Sequence, residues 1–269
     1  MTEPHQASRA ATRLSRGGPA RLRVYCFPYA GGGAAAFRPW ADGLPVDVMR
    51  DTELWAVNLP GRESRLREPP LTEIGPLTAQ LRRELGDRLT PPYVFFGHSM
   101  GALLSFEIAR RLETEGVPGP VHIIVSGHRA PQLPDPRPRL HDRPDAAILR
   151  RLRRLGGTPE AVLDNPELRE LVLPILRADL AVCERYVYRD AEPLTCSVTA
   201  FGGKSDREVS EPELSAWRAQ TSEPFVIRMF PGGHFFIDTA RPLVLRVLGH
   251  ELRQLLLRPS VRGDTAPAV

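Results

Sequence analysis

The sequence lacks three features that would each point to a particular class of protein. It has no uninterrupted run of about 18 apolar residues, so we expect no membrane-spanning helix. Its first 20 residues lack the apolar segment of a secretory signal. Its three cysteines, Cys26, Cys183 and Cys196, are odd in number and far apart, which argues against a disulfide framework and against a metal-binding cluster. These absences favour the reducing cytoplasm and a protein that binds no metal.

Lysine is nearly absent, because Lys204 is the only lysine among 36 lysine and arginine residues. The formal net charge of +4 is small for 269 residues, so an acidic partner is compatible with the sequence but is not required by it. No basic helix is interleaved with aromatic residues, and no nucleic-acid-binding motif is present. We therefore expect no nucleic-acid partner.

The apolar segments alternate between strand-like and helix-like patterns. A hydrophobic fraction of 42% over 269 residues is enough for one large domain. Six apolar segments bounded by loop residues predict β-strands at Arg21–Pro28, Glu53–Leu59, Tyr93–Gly97, Val121–Ser126, Thr195–Gly202 and Phe225–Phe230. Between several of them apolar residues recur every three or four positions, as in "LTEIGPLTAQLRRELGDRL". The alternation predicts an α/β fold with a mostly parallel central sheet flanked by helices.

A serine between two glycines stands where an apolar strand gives way to a helix, in "YVFFGHSMGALL". The pattern "GHSMG" is typical of a nucleophile elbow, in which small neighbours let the backbone turn sharply and expose the serine hydroxyl. The start of the following helix would also stabilise developing negative charge. We predict that Ser99 is a nucleophile, with a structural turn as the alternative. His98 adjoins Ser99, so we expect its side chain to point elsewhere.

A serine nucleophile needs a base, and hydrolases with this elbow place an acid and then a histidine after the serine in the chain. His234 lies in "FPGGHFF", directly after the last predicted strand. Asp206 lies in "TAFGGKSDREV", after the preceding strand, whereas Asp179 and Asp190 fall in or beside predicted helices. We predict His234 as the base and Asp206 as the acid that orients it.

The oxyanion formed during acyl transfer needs backbone N–H donors. The residue after the nucleophile, Met100, supplies one of them in this kind of elbow. A loop after an early strand supplies the other, and "CFPYAGGGAAAF" is such a loop. A flexible glycine turn or a phosphate-binding loop is the alternative, although the loop lacks the Lys-Ser/Thr pair and the glycine spacing of phosphate-binding motifs.

One long region interrupts the alternation of strands and helices. From about Gln132 to Arg189 there is no convincing strand, and a proline-rich segment is followed by helical patterns. We expect an inserted helical cap, with packing of these helices on the flank of the sheet as the alternative. The expected organisation is a core of residues 21–131 and 190–257, a cap of residues 132–189, and a disordered leader and tail at residues 1–20 and 258–269.

Together these segments resemble the type II thioesterases of polyketide and nonribosomal peptide assembly lines, within the α/β-hydrolase superfamily. The matching segments span roughly residues 22–257 and include "FPYAGGGAAAFRPW", "NLPGRESRLREPP", "FFGHSMGALLSFEIARRL", "RRLRRLGGTP", "LPILRADLAVCERY", "FGGKSDREV" and "GGHFFI". The elbow is common to many hydrolases, whereas "PYAGG", "LPGRE" and "LGGTP" are far more particular.

The resemblance implies hydrolysis of acyl groups from the phosphopantetheine thiol of acyl or peptidyl carrier proteins, which clears stalled or misprimed chains. It implies Ser99, Asp206 and His234 as a catalytic triad, and the N–H groups of Ala30 and Met100 as oxyanion donors. No metal or organic cofactor is implied, because the partner's phosphopantetheine carries the acyl group. A small-molecule esterase, an acyltransferase or a non-catalytic carrier-binding module is the alternative, and the oligomeric state is left open.

Four arginines cluster in "LRRLRRLGG", namely Arg150, Arg151, Arg153 and Arg154. At helical spacing the intervening leucines would face the body of the protein and the arginines would point outward. We expect some of these arginines to contact an acidic carrier protein and to increase its rate of association. A solvated surface in an arginine-rich protein is the alternative.

Overall fold

A seven-stranded β-sheet forms the centre of the protein. The computed structural model describes residues 9–15 and 20–258. Within them the strands are β1 Ala11–Arg13, β2 Leu22–Phe27, β3 Thr52–Val57, β4 Tyr93–His98, β5 His122–Ser126, β6 Ser197–Gly203 and β7 Phe225–Phe230. Their order in the sheet is β1-β3-β2-β4-β5-β6-β7, with β1 antiparallel to β3 and all other neighbours parallel.

Helices connect the strands and cover both faces of the sheet. The α-helices are α1 Arg38–Gly43, α2 Val46–Arg50, α3 Ile74–Leu85, α4 Met100–Thr114, α5 Asp145–Leu155, α6 Glu160–Asp164, α7 Pro166–Glu184, α8 Glu211–Ser215, α9 Phe236–Thr239 and α10 Arg241–Leu256. Short 3₁₀ helices lie at Ala34–Phe37, Glu63–Arg65, Gly86–Arg88 and Ala216–Gln220. In the part of the chain that the structure describes, no helix combines the length and the apolar character needed to cross a membrane.

The central strands are apolar on both sides because each side packs against helices. In β4, Phe95 belongs to a core cluster that includes side chains of α3 and α4. The next residue, Phe96, belongs to a second cluster that includes side chains of α1, α2 and α10. Strands buried on both faces read as continuous apolar runs, which is the pattern in "YVFF". The prediction of a mostly parallel sheet flanked by helices is confirmed.

The parallel strands bring distant loops to one edge of the sheet. Ser99 follows the end of β4, Asp206 follows β6, and His234 follows β7. Because β4 to β7 run in the same direction, the loops after their carboxyl ends meet at a single edge. The topology therefore gathers these three residues although 135 positions separate Ser99 from His234.

Three helices, α5 to α7, occupy most of residues 132–189 and share a small apolar core of their own. α7 begins after Asn165, whose side-chain oxygen accepts hydrogen bonds from the N–H groups of Glu167 and Leu168 over 2.9 and 3.2 Å. The buried residues of the shared core are Ile148, Leu149, Leu163, Leu173 and Leu176. Ala30, from the loop after β2, packs against this cluster, so these helices contact the main body at that loop.

The start of the chain differs from the expected disordered leader. Ala11–Arg13 form β1, in which Ala11 lies opposite Val57 of β3. Ser15 extends the attachment by accepting a hydrogen bond from the N–H group of Leu54 over 3.0 Å. A strand at the edge of a sheet has unpaired N–H and C=O groups, and β1 satisfies those of β3. The prediction for residues 1–20 is therefore wrong for residues 9–15, while residues 1–8, 16–19 and 259–269 lie outside the described residues.

A buried histidine in β5 predicts how stability depends on pH. Burial, with a smaller effect of the Arg258 charge, lowers the pKa of His122 from 6.5 to about 3. The unfolded chain then binds this proton more readily than the folded chain, so the free energy of unfolding falls as the pH drops below 6.5. When the pH falls from about 7.5 to about 5, we expect His122 alone to lower the free energy of unfolding by about 2 kcal/mol.

Urea unfolding of the wild type and of His122→Gln at both pH values checks this expectation. The variant lacks the titrating imidazole, so it should lose less stability between the two pH values. Equal losses in the two proteins would contradict the assignment.

Candidate active site

Ser99 stands on a strained turn between β4 and α4. Its φ of 53° and ψ of −120° are a conformation that residues other than glycine rarely adopt. A Cβ atom at Gly97 would lie 2.1 Å from the carbonyl oxygen of Gly101, and a Cβ atom at Gly101 would lie 2.0 Å from the carbonyl oxygen of Phe27. Because these neighbours are backbone atoms, glycine is required at both positions. The "GHSMG" pattern thus corresponds to a close approach of β2, β4 and α4, with the serine at the turn.

Three of the predicted residues form a continuous chain of hydrogen bonds. His234 Nε2 lies 3.2 Å from Ser99 Oγ, and His234 Nδ1 lies 2.9 Å from Asp206 Oδ2. An ionised carboxylate only accepts hydrogen bonds, so Nδ1 carries the proton and Nε2 is left to accept from the serine hydroxyl. The N–H group of Glu208 donates to the other oxygen of Asp206 over 2.8 Å and holds it in place. The connectivity is that of a nucleophile, a general base and an orienting acid.

His98 packs behind the imidazole of His234. The two rings have centroids 5.2 Å apart, and His98 Nδ1 lies 2.9 Å from Ser126 Oγ. The side chain is completely buried, and this burial lowers the pKa of His98 well below its ordinary value. His98 is therefore neutral near pH 7 and adds no positive charge beside His234. The sequence offered only one signal for this contact, a histidine at the end of an otherwise apolar strand.

The two predicted oxyanion donors, the N–H groups of Ala30 and Met100, make no hydrogen bond to another described residue. Other amides of the same loop do: the N–H group of Gly32 donates to the carbonyl of Tyr29 over 2.8 Å. Ala30 and Ser99 line the same cavity, and Met100 directly follows the serine. Both amides are therefore available to a developing oxyanion.

Side chains of the "LPGRE" segment hold the loop after β2, although the sequence alone assigned them no role. The carboxylate of Glu63 accepts hydrogen bonds from the N–H groups of residues 34 and 35 over 2.9 and 3.0 Å. Arg62 donates to the carbonyl of Gly32 over 3.0 Å and forms an ion pair with Asp179 of α7. The sequence offered Asp179 as an alternative to Asp206 for the orienting acid. In the structure Asp179 is bound to Arg62 and not to His234.

A cavity of about 1550 Å³ opens beside Ser99 and His234. The loop after β2 forms one part of its wall through Ala30, and helices α5 and α7 form another through Leu155 and Leu176. The helices of residues 132–189 thus cover the candidate site. A volume of this size exceeds the roughly 300–1,000 Å³ usual for small-molecule sites.

Arg151 does not point into solvent as the helical spacing of α5 predicted. Its side chain is only 18% exposed and forms an ion pair with the buried carboxylate of Glu208. Glu208 lies two residues after Asp206, in a loop that approaches α5 only in the folded protein. The prediction that all four arginines point outward is wrong for Arg151, because this distant carboxylate binds its guanidinium.

The other three arginines of α5 are exposed. Arg153 pairs with Glu160 and Asp164 at 3.2 and 2.7 Å, so its charge is partly neutralised within the helical segment. Arg150 and Arg154 line the cavity. Among the described residues neither has an ion-pair partner, so both offer positive charge to an anionic group at the cavity.

Known proteins resemble this chain over nearly its whole length. A family model described as the thioesterase domain matches residues 22–252. The gramicidin S biosynthesis protein GrsT of Aneurinibacillus migulanus is 41% identical over 261 residues, which cover 97% of this chain and 100% of that protein.

Solved structures share the architecture as well. The thioesterase RedJ from the prodiginine biosynthetic pathway in Streptomyces coelicolor has a TM-score of 0.81 and 40% identity, covering 88% of this chain and 90% of its own. The type II thioesterase BorB from the borrelidin biosynthetic cluster has a TM-score of 0.83 and 34% identity, covering 93% of this chain and 100% of its own. These likenesses confirm the predicted α/β-hydrolase fold.

The hydrogen bond from His234 to Asp206 predicts the effect of removing the carboxylate. Asp206→Asn should fold normally but lose as much as about 10⁴-fold in turnover of an activated ester, because the imidazole loses the acceptor that fixes its tautomer. Asp190→Asn is the matched control, since Asp190 is exposed and distant from His234 in the chain. Similar activity in the two variants would show that Asp206 is not the orienting acid.

Proposed function

The chain belongs to the thioesterase family, and from that premise we propose that it hydrolyses acyl groups from the phosphopantetheine thiol of acyl or peptidyl carrier proteins. The reaction would remove stalled or misprimed chains during polyketide or nonribosomal peptide synthesis. The observation that carries the proposal is the hydrogen-bonded chain of Ser99, His234 and Asp206, which opens onto a covered cavity of about 1550 Å³.

In the first half of the proposed reaction, Ser99 Oγ attacks the thioester carbonyl carbon while His234 Nε2 takes the hydroxyl proton. The carbonyl oxygen becomes an oxyanion, which accepts hydrogen bonds from the N–H groups of Ala30 and Met100. The C–S bond then breaks, and the leaving sulfur takes the proton from His234. Asp206 stabilises the imidazolium throughout and keeps its own charge.

The second half repeats the chemistry with water. His234 Nε2 takes a proton from a water molecule, whose oxygen attacks the acyl carbon of the serine ester. The bond between that carbon and Ser99 Oγ breaks, the serine oxygen recovers the proton, and the carboxylic acid leaves. We propose that no metal or organic cofactor of this chain takes part, because the base, the acid and two amide donors supply every proton and charge that these steps need.

The cavity supports an acyl chain as the substrate. Apolar side chains such as Leu155, Leu176 and Leu180 line it together with polar groups, so a long and partly oxygenated chain fits its walls. We expect the carrier protein to remain outside while its arm enters. Arg150 and Arg154 are exposed at this cavity and suit an acidic carrier surface.

The compartment that we propose is the cytoplasm, where carrier proteins of assembly lines work. All three cysteines are free thiols, with Cys26 and Cys196 buried, which suits a reducing compartment.

A comparison of leaving groups tests the proposed substrate. We expect kcat/KM to be highest when an acyl group is loaded on a carrier protein, lower when the same group is carried by N-acetylcysteamine, and lower still for its aryl ester. A preference for the aryl ester would indicate a small-molecule esterase. Transfer of the acyl group to an added alcohol or amine would indicate an acyltransferase.

Charge reversal at the cavity tests the carrier contact. Arg150→Glu combined with Arg154→Glu should raise KM for the acyl-carrier protein by about tenfold and weaken its salt dependence, since exposed charges act mainly on association. Hydrolysis of the N-acetylcysteamine thioester should not change. The matched control is Arg50→Glu combined with Arg246→Glu, which alters the net charge equally at exposed positions of α2 and α10. Equal effects of the two pairs would refute a local carrier contact.

A further inference from the structure

We propose that Asp179 of helix α7 is a positioning residue for the oxyanion donors. The donor loop is then ordered only when the helices of residues 132–189 are packed against the sheet domain. This inference rests on the proposed acyl-transfer chemistry. The donor loop comprises residues 28–33, between β2 and the 3₁₀ helix at Ala34–Phe37.

Asp179 binds both the donor loop and the arginine that supports it. One carboxylate oxygen, Oδ2, accepts hydrogen bonds from the N–H group of Gly31 over 2.7 Å and from Arg62 Nη1 over 2.6 Å. The other, Oδ1, accepts from Arg62 Nη2 over 2.7 Å. Arg62 Nη1 also donates to the carbonyl of Gly32 over 3.0 Å. The carboxylate and the guanidinium thus hold backbone groups of two consecutive loop residues, the N–H group of Gly31 and the carbonyl of Gly32.

This pair crosses the boundary between the helical segment and the sheet domain. Arg62 follows β3, whereas Asp179 lies 117 positions later in α7. Their side chains are 7% and 2% exposed, so each charge depends on the other for compensation. Separating α7 from the sheet domain would expose two buried charges and remove the acceptor of the Gly31 N–H group at the same time.

The position of Gly31 determines the direction of the neighbouring donor. Gly31 has a φ of 77°, and a Cβ atom there would lie 3.2 Å from Leu176 Cδ1 of α7. The Gly31 N–H group belongs to the planar peptide that joins Ala30 to Gly31, so the hydrogen bond to Asp179 fixes that plane directly beside the Cα atom of Ala30, whose own N–H group is the donor. A misplacement of about 1 Å at a catalytic group costs roughly 10²-fold in rate. The hydrogen bond to Asp179 is therefore placed where it controls the geometry of the oxyanion site.

Arg62 also neutralises the negative charge that Asp179 brings close to the oxyanion donors. A negative charge close to the oxyanion donors would oppose the oxyanion that forms there. The bidentate guanidinium neutralises Asp179 while leaving the hydrogen bond to Gly31 intact. The pair thus supplies a strong acceptor to the loop without net charge.

The first test is Asp179→Leu, which removes the acceptor of the Gly31 N–H group, assayed on an acyl N-acetylcysteamine thioester and on an aryl ester. We expect kcat to fall by about 10²-fold on both substrates with little change in KM, because the donors act on the oxyanion and not on the bound substrate. A rise in KM with unchanged kcat would overturn the proposal, since it would place Asp179 in substrate binding.

Asp179→Leu leaves the buried Arg62 without a negative partner, so a second variant separates positioning from stability. Arg62→Met combined with Asp179→Leu removes both charges, and apolar replacement of a buried ion pair is often neutral for stability. We expect this double variant to fold but to keep the low kcat, because Gly31 still lacks its acceptor. Wild-type kcat in a folded double variant would overturn the proposal. Arg228→Met combined with Glu251→Leu removes an ion pair between β7 and α10 and is the control for the loss of an ion pair elsewhere in the protein.

Two further measurements report on the loop itself. Ser99 Oγ adds to the carbonyl carbon of an acyl trifluoromethyl ketone, and the former carbonyl oxygen then carries the negative charge of the oxyanion. The affinity of the variants for this inhibitor should therefore fall in parallel with kcat/KM. Amide hydrogen exchange should show lost protection at Gly31 in the double variant and unchanged protection in the control. Unchanged exchange at Gly31 in the double variant would contradict the proposal. This measurement does not depend on activity toward carrier proteins, so a wrong substrate assignment and a wrong role for Asp179 can be told apart.

Discussion

The close approach of three backbone segments around Ser99 is the constraint on which the site depends. Gly97 and Gly101 allow β4 and α4 to meet without a Cβ atom between them, and Gly101 lies against the carbonyl of Phe27 at the end of β2. The unusual backbone angles at Ser99 store strain of about 1–3 kcal/mol. This strain persists because neighbouring strands fix β4 on both sides, and the N–H group of Ser99 itself donates to the carbonyl of Ser126 over 2.7 Å. The serine is therefore held at the edge of the sheet, where the loops after β6 and β7 also arrive.

Negative charge is the second constraint, because the proposed reaction develops an oxyanion among buried carboxylates. Asp206 is bound to His234 and to a backbone N–H group, and Asp179 is neutralised by Arg62. His98 stays neutral through burial, so it supports the ring of His234 without changing the charge beside it. The charge of Asp179 is thus offset by Arg62, whereas the charge of Asp206 is left to stabilise the imidazolium that forms on His234.

Much of the fold and the site could be predicted because it is encoded locally or by topology. Each strand between β2 and β7 is a short apolar run with loop residues at its ends, and the elbow is a contiguous pattern around Ser99. Chain order selected Asp206 and His234, since parallel strands bring the loops after β6 and β7 to the edge that holds the serine. The errors at β1 and at Arg151 have a different origin. Both depend on partners that lie more than 40 residues away, namely β3 and Glu208.

The sequence by itself determined the order of strands β2 to β7 along the chain, the glycines that the elbow requires, and the residue types of a serine hydrolase, because each follows from neighbouring residues. Only the tertiary structure decided which groups bind Asp179, the rival carboxylate. Asp206 and Asp179 were both candidates for orienting the histidine, and Arg62 had no assigned role. The packing of α7 against the loop after β2 places Asp179 on Arg62 and Gly31, which leaves Asp206 for His234. Hydrogen bonds select partners over less than about 3.5 Å, and residues 117 positions apart reach such distances only when the whole chain has folded.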